Sequence, residues 1–183
     1  DASSGETVLS AAPTAFEGGA VHEQSGDTAA HLDFSSITAE GVYYVLDREA
    51  NVRSDVFVIS PRVYRDVLKQ ALRTFFYQRA GFEKKAEFAG QNWADGASHL
   101  GPGQDTEARL YSSPSDAGTA RDVSGGWYDA GDYNKYAAWT ADYIIEMARA
   151  YRESPTAFTD DLNIPESGNG VPDLLDEMKF GLA

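Results

Sequence analysis

The amino-acid sequence predicts a short-stranded β unit over residues 1–60 followed by an all-α unit over residues 61–183, both of them incomplete. Three observations carry this reading. The apolar spacing changes from a period of two to about 3.6 residues at residue 60. Before that point the apolar segments are short and separated by Gly, Asp and Ser turns. At the other end, no Gly or Asn stop signal follows the final helical pattern, which runs into Ala183.

The β segments are Glu6–Ser10, Ala29–Phe34, Val42–Leu46 after Gly41, and Val52–Ile59. In the last of these, Val56 and Val58 point one way and Phe57 and Ile59 the other. Both faces are then apolar, which predicts a central strand or one at a domain junction. At most five strands can be counted, where an immunoglobulin-like sandwich uses about seven. The unit therefore reads as such a sandwich lacking its N-terminal side.

Ser60-Pro61 is a helix-start signal, because a Ser hydroxyl accepts from an orphan N–H and Pro at the first helical position sacrifices no bond. Val63, Val67, Ala71 and Phe75 form one i, i+4 row, and Tyr64, Leu68, Leu72 and Phe76 the adjacent one. Gly81 supplies the stop. Residues 81–126 are broken by Gly96, Gly101, Pro102, Gly103, Pro114 and Gly118, and so long a loop is uncommon unless it is functional. A second helix is expected over Lys135–Tyr151, burying Ala137, Ala141, Ile144, Ile145 and Ala148. A third begins near Pro172, with Leu174, Leu175, Met178 and Leu182 inward.

Composition removes several functions. The chain carries 29 Asp plus Glu against 15 Lys plus Arg, a net charge of −14, without a basic stripe that could neutralise phosphates. Nucleic acid and anionic membranes are excluded as partners on that ground, and a neutral or basic substrate fits better. Zero Cys excludes a disulfide scaffold, a thiolate zinc site and a Cys nucleophile. No apolar run approaches the length of a membrane span. His22, His31 and His99 are scattered, so a Ser/His/Asp triad has no support. Gly168-Asn169-Gly170 lacks the strand and third Gly of a dinucleotide loop.

The richest run is Gly125-Gly126-Trp127-Tyr128-Asp129-Ala130-Gly131-Asp132-Tyr133-Asn134-Lys135-Tyr136. Its two carboxylates lie three residues apart around small Ala130 and Gly131, which let the backbone turn tightly enough for both acids to face one point. Asp129 is expected near a helix N-terminus, where negative charge is favoured. Two acids converging on a water beside aromatic rings suit the base side of a glycoside hydrolase. A helix cap with a solvated Asp is the plain alternative. A hard-oxygen metal site of Asp129, Asp132 and Asn134 is a second, though an EF-hand's other positions are missing.

The block GGWYDAGDYNKY, with FFYQRAG before it and IPESGNGVPDLLDEMKFG after it, resembles the start of the catalytic domain of family 9 glycoside hydrolases, the endoglucanase family. The preceding DFSSITAEGVYYV resembles the end of the immunoglobulin-like domain that many bacterial members carry. The resemblance implies a partial immunoglobulin-like sandwich over 1–60 and, over 61–183, the first helices of an (α/α)6 barrel. It implies inverting hydrolysis of internal β-1,4-glucosidic bonds in a secreted or periplasmic protein. Asp132 then corresponds to the general base that deprotonates the attacking water, and Asp129 to the residue that helps hold it. Trp127 and Tyr128 stand where aromatic residues flank the cleft, with substrate stacking or loop packing as their two roles.

The departures from the family are equally specific. Ala80 stands where a zinc-ligating Cys often precedes Gly81, so no metal is expected in this chain. The family's calcium ligands and its general-acid Glu correspond to positions beyond Ala183, and Glu146, Glu166 and Glu177 lie outside the acid's motif. The chain alone is therefore expected to be nearly inactive and to need the rest of the catalytic domain, in the same chain or a separate one. Two rival readings stand beside this one: an exo-acting member of the family (cellobiohydrolase or glucosaminidase), and a non-catalytic module that binds carbohydrate or a partner protein.

Overall fold

The computed structural model describes residues 1–183, which divide into two compact units, Asp1–Tyr64 and Arg65–Ala183. The first contains six short strands: β1 (Thr14–Ala15), β2 (Ala30–His31), β3 (Gly41–Tyr43), β4 (Leu46–Asp47), β5 (Val52–Arg53) and β6 (Phe57–Ile59). They pair antiparallel as β1–β2, β3–β6 and β4–β5. No strand forms over Glu6–Ser10, and only Ala30–His31 of the predicted Ala29–Phe34 pairs.

The last four strands are one long hairpin with a slip in it. Gly41 faces Ile59 and Tyr43 faces Phe57, but beyond them Leu46 faces Arg53 and Asp47 faces Val52. The returning strand therefore carries one residue more than its partner between these ladders, which is a β-bulge. Ser54 anchors it, donating its N–H to the Val45 carbonyl at 2.9 Å and accepting from the Val45 N–H at its hydroxyl at 3.0 Å. This breaks the predicted strand Val52–Ile59 in two and corrects its placement. Val56 and Val58 are exposed, and Tyr43, Phe57 and Phe34 form the packed side, so β6 is not a central strand.

The second unit contains α1 (Arg65–Gln78), α2 (Ala86–Ala89), α3 (Ala137–Glu153) and α4 (Asp173–Leu182), with short 3-10 turns in the loops. The Ser60 hydroxyl does accept from the Arg62 N–H at 3.2 Å, but the residues after it form turns and the helix starts at Arg65. Of the two apolar rows, Leu68, Leu72 and Phe76 face inward, whereas Val63, Val67 and Ala71 are exposed. Gly81 ends the segment with φ +63°, a left-handed conformation that glycine adopts without steric penalty.

Two apolar clusters hold this unit together. Phe76, Ala89, Leu162 and Ile164 form one, packed by Leu72, Tyr77, Phe82 and Phe88. Trp127, Met147 and Leu174 form the other, with Phe75, Ile144 and Tyr151 around them. Phe76 is fully buried, which is worth about 1.5–3 kcal/mol relative to an exposed ring. Arg73 ties the first cluster to the loops, donating to the carbonyls of Leu162, Asn163 and Phe88 and to the Tyr77 hydroxyl.

The inward face of α3 differs from the expected one. Met147 is its buried residue and Ile144 is half-buried, while Ala137, Ala141, Ile145 and Ala148 are exposed. On α4, Leu174 is buried as expected, but Leu182 is 71% exposed, and the other buried positions are the acids Asp173 and Glu177. No helix is long and apolar enough to cross a membrane.

Candidate active site

The Trp127–Lys135 segment is fixed to the end of α1 by a short backbone ladder. Arg79 and Trp127 form an antiparallel bridge, the Ala80 N–H donates to the Gly126 carbonyl at 2.9 Å, and the Tyr128 N–H to the Gln78 carbonyl at 2.8 Å. Past this anchor the chain leaves the core and turns back on itself. The Asp129 N–H donates to the Asn134 carbonyl at 2.8 Å, closing a loop with Asp132 near its tip.

Asp132 is exposed, and both its carboxylate oxygens accept from one residue. Oδ1 takes the Asn134 N–H at 3.2 Å and Oδ2 the Asn134 side-chain amide at 3.0 Å. A carboxylate oxygen has two lone-pair sites, so each keeps one free for water. Tyr133, between them, has φ +58°, a conformation that costs a non-glycine residue about 1–2 kcal/mol. Its ring meets Tyr128 edge-on at 5.1 Å. Asp129 is half-buried.

Two expectations need correcting here, and the hard-oxygen alternative gains no support. Asp129 does not sit at a helix N-terminus, because α3 starts only at Ala137. Asn134 serves Asp132 as a hydrogen-bond donor, and no group of three or more His, Asp or Glu is arranged to hold a metal ion. Trp127 and Tyr128 are 2% and 4% exposed, so neither presents a ring face to a sugar. Trp127 packs edge-on against Phe75 at 5.2 Å. Tyr128 stacks at a tilt on His99, bonds it at 3.3 Å through its hydroxyl and also contacts Ser98, and burial pushes its phenol above the ordinary tyrosine range. The exposed rings of the motif are instead Tyr133 and Tyr136.

Beneath the turn lies a buried ionic cluster. Arg79 is fully buried and grips Glu166 with two hydrogen bonds, at 3.0 and 3.1 Å. It also donates through Nε to Glu177 Oε2 at 3.3 Å and pairs through its second terminal nitrogen with Oε1 at 3.0 Å. The Trp127 indole N–H donates to the same Glu177 Oε2 at 3.3 Å. Burial alone pulls the Arg79 pKa down, but the two carboxylates outweigh it and the guanidinium is held above its ordinary value. Burial pushes the Glu177 carboxyl up, and Arg79 and Trp127 pull it back in part. Sequence reading missed this cluster, although a buried-side Arg at the end of α1 and a Glu on the inner stripe of α4 are its visible signals.

A second ion pair braces the loop before the turn. Lys135 Nζ donates to the Val123 carbonyl at 2.6 Å and the Gly125 carbonyl at 2.9 Å, and it pairs with Asp105. The loop that reads as irregular is therefore tied to the end of the aspartate turn through Lys135.

The helical scaffold presents an anchored, exposed aspartate turn, and comparison with known proteins gives the class of protein that carries it. Residues 64–183 match the family model for glycosyl hydrolase family 9, and the chain belongs to that family. The xyloglucan-specific endo-beta-1,4-glucanase of Bacteroides ovatus is 38% identical over 163 residues, covering 86% of this chain and 26% of that protein. Endoglucanase C of Cellulomonas fimi is 36% identical over 175 residues, covering 87% of this chain and 16% of the relative. A solved Bacteroides ovatus family 9 structure superposes over all of this chain with a TM-score of 0.78 at 34% identity, using 32% of its own length. The chain thus spans between a sixth and a third of these relatives.

Proposed function

We propose that this chain supplies the general-base half of an inverting β-1,4-glucanase site. Residues 61–183 are read as the first helices of the (α/α)6 barrel, and residues 1–60 as part of an immunoglobulin-like domain in a secreted or periplasmic protein. The observation that carries the proposal is the exposed Asp132 carboxylate, held on both oxygens by Asn134 in a turn anchored to α1, within the segment that matches the family. The similar proteins named for endoglucanase activity support β-1,4-glucan as the substrate class.

In this reading a water lies between Asp132 and the anomeric carbon. The Asp132 carboxylate takes one proton from it as its oxygen bonds to that carbon, on the face opposite the departing glucosyl oxygen. Asp129 holds the water by a second hydrogen bond. The departing oxygen takes its proton from a carboxylic acid about 6.5–9.5 Å from the base, the separation that leaves room for water in inverting enzymes. Asn134 keeps Asp132 in one rotamer, so no reorganisation of the base precedes proton transfer. Tyr133 and Tyr136 are the rings available to line the glucan chain.

The test is the stereochemistry of the fresh product. Hydrolysis of a soluble β-1,4-glucan by the full-length protein, followed by NMR before mutarotation, should show the α-anomer first. First appearance of the β-anomer would overturn the proposal.

A further inference from the structure

We propose that Glu177 is a positioning residue for the Asp129–Asp132 turn, acting through Trp127 and Arg79. The inference rests on the assignment of that turn as the base site. Glu177 is 1% exposed on α4, 50 residues along the chain from Trp127, and a single atom, its Oε2, accepts from both the Trp127 indole N–H and Arg79 Nε, each at 3.3 Å.

That shared acceptor fixes two groups at once. Arg79 is bonded to Trp127 a second way, through the backbone bridge, and Tyr128 after it is bonded to Gln78 before Arg79. Glu166 holds the far side of the guanidinium, and the Phe180 ring lies 4.5 Å from it. The indole is closed in by Phe75 on α1 and by Gly181 on α4, where no Cβ would fit. Trp127 therefore can neither rotate nor shift without breaking its bond to Glu177, and Asp129 follows it by two residues.

An apolar filling of the same volume would often stabilise a fold as well as a buried ion cluster does. What a carboxylate adds here is direction, since its bonds set the plane of the guanidinium and the tilt of the indole together. The functional consequence is placement of the base, for which displacements of about 1 Å are costly to rate.

Two variants of the full-length protein test this, Glu177→Gln and Trp127→Phe. The first keeps the volume but removes the charge that pairs with Arg79. The second keeps a buried ring but removes the indole donor. In both, hydrogen exchange at the Tyr128 and Asp129 amides should accelerate about tenfold or more while the amides of α3 keep their protection. On soluble β-glucan kcat should fall about tenfold with KM within about twofold of the parent. Unchanged protection of the Tyr128 and Asp129 amides in both variants would overturn the proposal, as would a uniform loss of protection that includes α3. Asp132→Asn, measured alongside, judges the base assignment separately: a kcat close to the parent's would remove that assignment, while the amide exchange still decides whether Glu177 positions the turn.

Discussion

Gly181 lies against the six-membered ring of Trp127 so closely that a Cβ at residue 181 would come within 2.2 Å of the ring's Cη2 and 2.3 Å of Cζ3. Within a helix, Ala is ordinarily better than Gly by about 0.5–1 kcal/mol. Here overpacking outweighs that gain, since forced shifts in a packed core cost about 1–3 kcal/mol or more. Gly181→Ala should therefore lower the unfolding free energy, measured by urea titration, and a stabilised variant would show that α4 does not press on the indole.

Removing Arg79 should be far more damaging than removing a surface ion pair. Arg79→Met leaves Glu177 buried without its cation, and breaking a buried pair from one side costs about 3–5 kcal/mol. Glu146→Gln breaks the Arg149 pair at 2.6 Å, but those side chains are 59% and 68% exposed, so the expected loss is below about 0.5 kcal/mol. Urea midpoints of the two variants check the ordering.

Asp173 gives the protein a pH dependence of definite sign. Burial holds its carboxyl above the ordinary carboxylate range, the Leu162 N–H and the Ser167 hydroxyl draw it down, and Asp160 and Asp176 raise it again. The folded state thus keeps this proton to higher pH than the unfolded chain does. Its contribution to stability is fully present below the ordinary carboxylate range and is lost as pH rises through the raised value. The stability of Asp173→Asn relative to the parent should improve steadily between about pH 3 and pH 7. A difference that does not vary with pH would contradict this.

Lys135 is expected to hold the long loop more than it holds the helices. Its ammonium joins the carbonyls of Val123 and Gly125 to the Asp105 carboxylate, and hydrogen bonds to charged groups are worth about 1.5–3 kcal/mol each when partly buried. Lys135→Met should accelerate limited proteolysis between residues 101 and 126 several-fold. Cleavage at the parent rate would mean that the loop is held by its other contacts, among them the Ala108–Arg121 bridge.

What could be read from the sequence follows a physical dividing line. The Leu68, Leu72 and Phe76 row was legible because a single helix face encodes it, and Gly81 because a left-handed residue ends that helix. The tight turn was legible because its residues, Asp129 to Asn134, are contiguous, although its distance from the start of α3 was not. The bulge at Ser54 was not, since a one-residue slip depends on the pairing partner. The burial of Trp127 was not legible either: an aromatic beside two acids has the same local pattern whether it meets a sugar or Phe75 and Gly181. The link from Arg79 to Glu177 spans 98 residues and exists only once α1 and α4 pack together.

The base assignment is tested most directly by kcat on a soluble β-1,4-glucan for the full-length protein and its Asp132→Asn variant, with folding confirmed by an unchanged melting temperature. Loss of general-base catalysis should lower kcat by about 10²–10⁴-fold with little change in KM. A folded Asp132→Asn protein that hydrolyses the glucan within about threefold of the parent rate would contradict it, because so small a change lies far below what a general base contributes.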